Sequence, residues 1–224
     1  MTERNDSRTD QGDRTATPGR VVVEMSMSLD GFVAREDHGT DEVHAWYDGG
    51  DVAVPMPNSD LTFHVDEASA PVARAAFDLG ANVTGRVTFD DAEAWGGDDP
   101  MGIPSFVVTH DAPTEWRGEN GPFRFVTDGV ESAIRQARAV AGDKPVGVAG
   151  GDIAMQCLRL GLLDELWIHL TPVLLGSGTR LFDELDGAPV RLEQQRVVVG
   201  HGVTHLFYRV LDQLPRPARS PSSG

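Results

Sequence analysis

Three short segments of the chain carry groups suited to binding a phosphate, and each begins where an apolar run ends. In the first, the run at 146–149 leads into Gly150 and Gly151, after which Asp152 and Ile153 open a predicted helix. The free N–H groups and positive dipole end of a helix start attract an anion, and glycine lets the backbone approach it without a Cβ clash. A Gly-Gly turn also occurs for steric reasons alone, with Asp152 as the helix cap, so both interpretations stay open.

The other two segments repeat this layout with side chains that can bind phosphate. Gly85, Arg86 and Thr88 follow the short apolar run at 81–84, and Thr109 and His110 end the run at 105–109. The forked guanidinium of arginine suits phosphate, although an exposed arginine at the protein surface has the same sequence signature. Ligands of open α/β sheets gather outside the carboxyl ends of the strands. Three such ends in one chain therefore favour a nucleotide site.

The elements that must position these segments belong to an α/β domain. Apolar and β-branched runs predict strands, and apolar residues at helical spacing predict helices. The predicted strands cover 21–28, 81–84, 105–109, 124–126, 145–149 and 166–171, and the predicted helices cover 66–79, 129–140 and 152–160. The last two runs, 191–199 and 203–211, flank three residues with two glycines and predict a β-hairpin. Strands that alternate with helices and end in an antiparallel hairpin indicate a mixed sheet.

Composition limits the class of protein. Residues 1–19 and 213–224 are polar tails that cannot bury enough apolar surface to offset their ordering entropy, which leaves residues 20–212 as one domain. The formal net charge of −16 argues against a nucleic-acid-binding surface. We expect no membrane helix, because no apolar stretch reaches about 18 residues. The single cysteine, Cys157, favours a cytoplasmic protein without disulfides, and the histidines lack metal-ligand spacing.

Taken together, several motifs resemble those of the dihydrofolate-reductase-like family. They are VEMSMSLDGFVA at 23–34, TGRVTF at 84–89, AGGD at 149–152, and LDELWIHLTPVLLGSG at 163–178 followed by TRLF. The chain is most similar to stand-alone proteins like the reductase domain of the bifunctional riboflavin-biosynthesis deaminase-reductase. The resemblance implies a three-layer αβα fold with a mixed, mainly parallel sheet and a C-terminal antiparallel hairpin. It also implies NADPH as cofactor, a small heterocyclic or carbonyl substrate of pterin or pyrimidine type, and a homodimer.

The resemblance also assigns roles to residues by matching motif. The phosphates of NADPH are expected at Gly85, Arg86 and Thr88, and its 2′-phosphate side at Thr109 and His110. Its nicotinamide side is expected at Ser26 and Val33. The pyrophosphate is expected at Gly150, Gly151, Asp152 and Ile153. Asp30 and His169 are the candidate catalytic residues, since the family brings their positions to the nicotinamide and the substrate.

Each candidate for chemistry has a structural alternative. Asp30 is either the proton donor or an Asp-Gly turn residue bonded to its own backbone. His169 is either a substrate-facing group that titrates near neutral pH or a satisfied core histidine. Trp46 is either a stacking platform for a planar substrate or the anchor of the long loop predicted at 35–64.

Two departures from the family bear on the substrate. The deaminase half is absent, because the chain has no H-x-E with a later P-C-x-x-C and a single cysteine could not build that zinc site. Ala149 stands where riboflavin reductases usually have a glutamate, which argues against a ribosylaminopyrimidine substrate. No residue matches the helix carboxylate of dihydrofolate reductases proper. A nucleotide- or pterin-binding protein without turnover is therefore the alternative function.

Overall fold

The computed structural model describes residues 19–114, 122–182, 185 and 189–211. The tails predicted at 1–19 and 213–224 lie outside these residues, Gly19 excepted. The strands are β1 (Val21–Ser28), β2 (Phe32–Ala34), β3 (Val52–Pro55), β4 (Thr62–Val65), β5 (Ala81–Gly85), β6 (Ser105–Val108), β7 (Phe123–Val126), β8 (Val146–Ala149), β9 (Glu165–Thr171), β10 (Thr179–Arg180), β11 (Leu192–Gly200) and β12 (Val203–Val210). The α-helices are α1 (Asp41–His44), α2 (Ala70–Phe77), α3 (Arg86–Asp91), α4 (Val130–Ala141) and α5 (Gly151–Arg159).

Eight of these strands form one mixed sheet in the order β11-β12-β9-β1-β8-β5-β6-β7. The pairs from β9 through β1, β8, β5 and β6 to β7 are parallel, whereas β12 runs antiparallel to both β9 and β11. Strand β1 lies at the centre, and its first residues Val21, Val22 and Val23 are fully buried, as expected of a strand covered on both faces. The sheet is therefore the mixed, mainly parallel sheet that the sequence predicts.

The two faces of the sheet carry different layers. Helices α4 and α5 pack on one face, where Val21 and Val23 join the largest apolar cluster. On the other face Val22 contacts Val72 of α2 and the cross-strand pair of Trp167 and Phe207. The alternation of side chains along β1 thus sends Glu24, Ser26 and Ser28 to the α2 face, the face that holds the polar groups described below.

Two details differ from the sequence prediction. The segment predicted as a long loop at 35–64 contains α1 and the hairpin of β3 and β4, which packs on Trp46 through Val54 and Val65. Its short apolar runs are hidden among turn residues, so their pattern alone was too weak. In the C-terminal hairpin Gly200 pairs with Val203, so the turn has two residues, His201 and Gly202, rather than three.

Candidate functional site

A groove runs along the carboxyl ends of β1, β8, β5 and β6 and consists of three adjoining cavities. The outer cavity, about 600 Å³, lies between the starts of α3 and α5 and is lined by Arg86, His110 and Asp152. The middle cavity, about 430 Å³, shares Thr88, Gly150 and Gly151 with the outer one and adds Ser26 and Val33. The inner cavity, about 610 Å³, shares His44, Trp95 and Ala149 with the middle one. The groove is thus continuous from the helix starts into the α2 face.

All the residues expected to bind the cofactor meet in this groove. The outer cavity is lined by Gly85, Arg86, Thr88, Thr109, His110, Gly150, Gly151, Asp152 and Ile153. Ser26 and Val33 line the middle cavity. Residues far apart in sequence converge there because β5, β6 and β8 are parallel neighbours whose carboxyl ends share one edge.

The Gly150-Gly151 corner is sterically required. Gly150 has a φ of +94°, which side chains rarely allow, and a Cβ there would lie 2.7 Å from Thr88 Oγ1. A Cβ on Gly151 would lie 2.6 Å from the carbonyl oxygen of Arg180. Helix α5 starts at Gly151 with Gly150 as its N-cap residue, so Asp152 is not the cap; its carboxylate accepts a hydrogen bond from Gln156 Nε2 at 2.8 Å. The steric interpretation of the glycines is correct, and it is compatible with an anion at the helix start.

Polar side chains at the outer cavity are already tied to the protein. Arg86 Nε donates to both carboxylate oxygens of Asp90, at 2.7 and 2.8 Å. Thr109 Oγ1 donates to the carbonyl oxygen of Asp111 at 3.0 Å. Both side chains still form part of the cavity wall together with His110. The outer cavity therefore offers a cation, hydroxyl groups and a helix start within one concave surface.

The inner cavity is acidic and aromatic. Its wall includes the aromatic rings of Tyr47, Phe63, Phe77 and Trp95 and the carboxylates of Glu24, Asp41, Asp48 and Asp99. No lysine or arginine lines it among the residues that the structure describes. Such a cavity suits a planar ring that carries hydrogen-bond donors or a positive charge.

Trp95 stands at the junction of the middle and inner cavities on a strained turn. Glu93, Ala94 and Trp95 have φ values of 47°, 52° and 48°, in the left-handed region that non-glycine residues seldom adopt. Each such residue costs about 1–3 kcal/mol and persists where its surroundings fix it. Here the ring of Trp95 is held by Phe89 and Phe123, with ring centroids at 6.1 and 6.0 Å.

Glu24 is the carboxylate of the inner cavity that the sequence interpretation missed. Its side chain is 22% exposed, and Oε1 lies 2.5 Å from Nε2 of His169. Burial alone would raise the pKa of Glu24, but the positive charge and hydrogen bond of His169, aided by His44 and His205, bring that pKa below its ordinary value. The only sequence signal was one charged residue inside the apolar run of β1.

His169 does not belong to the described lining of the three cavities. It is fully buried, and in place of the cavity it contacts Glu24 on one side and His205 on the other, with 2.9 Å between the two Nδ1 atoms. His205 Nε2 lies 2.9 Å from Ser69 Oγ, which donates to Asp66 Oδ2 at 2.6 Å. A continuous hydrogen-bonded chain therefore connects Glu24 with Asp66.

Asp66 closes this chain at the other end. Its carboxylate accepts backbone N–H groups of Ala68 at 2.8 Å, Ser69 at 3.1 Å and His201 at 2.9 Å. Burial would raise its pKa, but these bonds and the Ser69 hydroxyl lower the pKa to about 2. For His205, burial and the charge of His169 lower the pKa to about 4. At neutral pH Asp66 is therefore ionised and His205 is neutral.

The structure corrects the role expected for Trp46. Its ring is 2% exposed, stacks on Tyr47 with centroids 4.0 Å apart, and meets His169 and His205 edge-on. Its indole N–H donates to Ser26 Oγ at 2.9 Å. Trp46 is thus a buried anchor of the core, and its neighbour Tyr47 lines the inner cavity.

The structure also gives Asp30 a different position from the one expected. Its Oδ1 accepts from Ser28 Oγ at 2.6 Å and from the N–H of Leu175 at 3.1 Å, and its Oδ2 accepts from Gly176 N–H at 2.7 Å. The Ser28 hydroxyl and these backbone groups lower its pKa to about 2. The described lining of the three cavities does not include it. Asp30 ties the turn after β1 to the segment after β9, so it bonds to a distant stretch of backbone and not only to its own turn.

The fold is dihydrofolate-reductase-like. A dihydrofolate reductase from Enterococcus faecalis, solved with NADP(H), superposes with a TM-score of 0.54 at 13% identity and covers 87% of this chain and 98% of its own. A protein from Shewanella sp. PV-4, provisionally assigned to riboflavin biosynthesis, gives a TM-score of 0.66 at 24% identity and covers 86% and 99%.

The family follows from the sequence of the whole domain. The model of the RibD C-terminal domain matches residues 20–206, so the chain belongs to that family. The uncharacterized protein YwjB of Bacillus subtilis is 25% identical over 167 residues, which are 74% of this chain and 84% of YwjB. The family supports a reductase-like role and confirms the resemblance read from the motifs.

Membrane-spanning helices and metal-ligand clusters are the last two features of the described residues. None of the described helices is long and apolar enough to cross a membrane. Over the same described residues, no group of three or more His, Cys, Asp or Glu side chains is arranged to hold a metal ion.

Proposed function

We propose that the protein is an NADPH-dependent reductase of a planar, unphosphorylated nitrogen heterocycle or carbonyl compound of pterin or pyrimidine type. The observation that carries the proposal is the continuous groove. It begins at a helix start beside Arg86 and ends in an aromatic cavity that contains Glu24.

The outer and middle cavities fit an extended dinucleotide. The pyrophosphate would lie at the start of α5, where Gly150, Gly151 and Thr88 line both cavities. Arg86 and His110 would meet a 2′-phosphate, which is the reason for choosing NADPH over NADH. The middle cavity, between Ser26, Val33 and Ala149, would take the nicotinamide. When bound, the cofactor supplies a hydride.

The charge of the inner cavity supports the choice of substrate class. Glu24 is paired with His169, but Asp41, Asp48 and Asp99 share the wall with no described lysine or arginine and would repel a phosphate ester. A ring with amino or protonated nitrogen groups would instead donate hydrogen bonds to Glu24. Stacking against Tyr47 and Phe63 would hold such a ring flat.

Dinucleotide binding can be tested by calorimetry with NADPH and NADH. Arg86→Ala should weaken NADPH about ten-fold, equivalent to about 1.4 kcal/mol, and NADH much less. Arg135→Ala is the matched control, since Arg135 lies on α4 and bonds to Ser132 outside the groove. Failure of the wild type to bind either dinucleotide would refute the proposal.

Turnover can be tested by NADPH consumption with a panel of oxidised pterins, pyrimidine ribosides and the 5′-phosphates of those ribosides. We expect unphosphorylated compounds to react faster than their phosphates. Preference for a phosphate would contradict the charge argument. Tight NADPH binding without consumption would instead make the protein a nucleotide- or pterin-binding protein.

A homodimer would explain the exposed edge of the sheet. Strand β11 is the last strand at one edge, and it exposes Leu192, Val197 and Val199, the last by 73%. An exposed apolar edge strand favours pairing with another chain. Val199→Lys should shift the protein from dimer to monomer in sedimentation experiments, whereas Val140→Lys on α4, equally apolar and exposed by 40%, should not. A monomeric wild type would refute this proposal.

A further inference from the structure

The chain from Glu24 to Asp66 has a defined direction because one of its ends can only accept hydrogen bonds. Asp66 takes three backbone N–H groups and the Ser69 hydroxyl. A serine hydroxyl has one hydrogen, and Ser69 gives it to Asp66. The Ser69 oxygen must therefore accept from Nε2 of His205, 2.9 Å away.

The assignment continues through both imidazoles. A neutral His205 with its proton on Nε2 has a bare Nδ1, which must accept from Nδ1–H of His169. His169 then presents Nε2 to Glu24 Oε1 at 2.5 Å. A bare nitrogen and an ionised carboxylate cannot approach so closely, because both are acceptors. One proton must lie between them.

We infer that Glu24 and His169 share one exchangeable proton at the wall of the inner cavity, that His205, Ser69 and Asp66 keep it there, and that Glu24 is the proton donor of the reductase. This inference rests on the proposed function for its last part alone. Glu24 touches the cavity and would be the catalytic residue. His169, His205, Ser69 and Asp66 are positioning residues, because they act through Glu24.

The proton transfer completes the reduction of a C=N or C=O bond. The substrate carbon receives a hydride, and the substrate nitrogen or oxygen takes the shared proton from Glu24. One N–H or O–H bond of the product forms while the bond between that proton and the Glu24–His169 pair breaks. The pair is left with one negative charge. Glu24 then recovers a proton from water, which reaches it because its side chain is 22% exposed.

Other aromatic and titratable groups surround the Glu24–His169 pair. Trp46 flanks both imidazoles, at centroid distances of 5.1 and 4.9 Å, and offers no titratable group. Burial lowers the pKa of His44 and raises that of Tyr47 well above its ordinary value, so both are neutral near pH 7. The other titratable groups of the cavity wall are Asp41, Asp48 and Asp99. Among the described residues, His169 is thus the titratable group in direct hydrogen-bond contact with Glu24.

Removal of the Ser69 hydroxyl should release the pair's proton. In Ser69→Ala, His205 loses its acceptor and can turn to the tautomer with its proton on Nδ1. His169 must then accept at Nδ1 and can carry its single proton on Nε2, facing an ionised Glu24. Loss of the shared proton then no longer leaves two acceptors facing each other, so the deprotonated pair is less unfavourable. The Glu24–His169 pair should therefore lose its proton at a pH at least one unit lower than in the wild type. Asp66→Asn tests this independently, because the amide can donate to Ser69 and reverse the chain.

The direct readout is two-bond ¹H–¹⁵N NMR of the histidine rings between pH 5 and 9. The wild type should show His205 protonated on Nε2 and His169 protonated on Nδ1. A wild-type His205 protonated on Nδ1 would overturn the inference, as would a Glu24–His169 pair that releases its proton at the same pH in both variants as in the wild type. These measurements need no substrate, so they decide the proton assignment even if the reductase proposal fails.

The donor role is tested by Glu24→Gln, whose amide can still donate to His169. With a substrate from the panel, kcat should fall at least 100-fold, as for other general acids, while NADPH affinity stays within two-fold. In Ser69→Ala the alkaline limb of the kcat profile should move to lower pH together with the NMR titration. A kcat within three-fold of wild type in Glu24→Gln would refute the donor role but leave NADPH binding, and hence the reductase proposal, intact.

Discussion

The buried His205 should make the protein sensitive to acid by an amount that the structure defines. Its pKa is about 4 in the fold, because burial and the charge of His169 disfavour the imidazolium, and 6.5 when exposed in the unfolded chain. Between those pH values the unfolded chain binds a proton that the folded protein does not. The free energy of unfolding therefore falls as the pH is lowered from 6.5 to 4, and this contribution is complete above pH 6.5.

The size of the loss follows from the two pKa values. At about 1.4 kcal/mol for each pH unit between them, His205 alone removes up to about 3 kcal/mol by pH 4. Glu24, Asp66 and His44 also have lowered pKa values, so they add acid sensitivity of the same sign. The effect of His205 must therefore be measured as a difference between two proteins.

The variant His205→Gln isolates that difference, since its amide can still donate to Ser69 but does not titrate. Urea unfolding followed by tryptophan fluorescence between pH 7.5 and 4.5 would give the slope of the unfolding free energy against pH for each protein. We expect the slope of the variant to be smaller by about 1 kcal/mol per pH unit between pH 6 and 5. His64→Gln, at an exposed position on β4, is the control and should follow the wild type. Equal slopes for His205→Gln and the wild type would show that His205 is protonated in the fold and would refute the reasoning.

Three further predictions, one of them with a control variant, test the steric and structural assignments. Gly150 and Gly129 both precede a helix, with φ values of +94° and +95°, but only at Gly150 would a Cβ lie 2.7 Å from a side chain. Gly150→Ala should therefore lower the free energy of unfolding in urea by about 1 kcal/mol more than the control Gly129→Ala. Equal losses of stability in the two variants would contradict the contact with Thr88. Trp46→Phe should cost about 2–4 kcal/mol, measured by the same method, because it leaves a cavity and removes the bond to Ser26; a neutral effect would mean that the ring is not core. Asp30→Asn should leave kcat within a few-fold while lowering stability, and a 100-fold loss of kcat would restore Asp30 as the proton donor.

The strand ends that line the outer and middle cavities could be predicted because local sequence determines them. Apolar runs that stop at Gly85, Thr109 and Gly150 identify where strands end, and parallel neighbours must bring those ends to one edge of the sheet. The chain therefore needed only its strand order to assemble the outer and middle cavities. No comparable local pattern in the sequence indicates the pairing of strands β1, β9 and β12 that brings Glu24, His169 and His205 together.

The proton chain is invisible in the sequence because each link is made by pairing between strands or layers. His169 lies opposite His205 in the antiparallel register of β9 and β12. Ser69 and Asp66 come from the segment before α2 on the layer above. Asp30 is the opposite case: its turn signature was local and correct, whereas its expected catalytic role came from the family alone.

The register of β1 and β8 places a carboxylate beside Ala149, the residue that stands where riboflavin reductases usually have a glutamate. Val23 of β1 pairs with Val148 of β8, so the next residues, Glu24 and Ala149, are neighbours on the two strands and face the same cavity. A carboxylate expected just before the Gly-Gly corner is thus found on the adjacent strand, where His169 can reach it. Arg86 and the helix start lie at the outer end of the groove together with Asp111 and Asp152, whereas the inner end has four carboxylates and no described lysine or arginine. A dinucleotide with an unphosphorylated, nitrogen-rich substrate matches that order, whereas a phosphorylated substrate would place its charge at the wrong end.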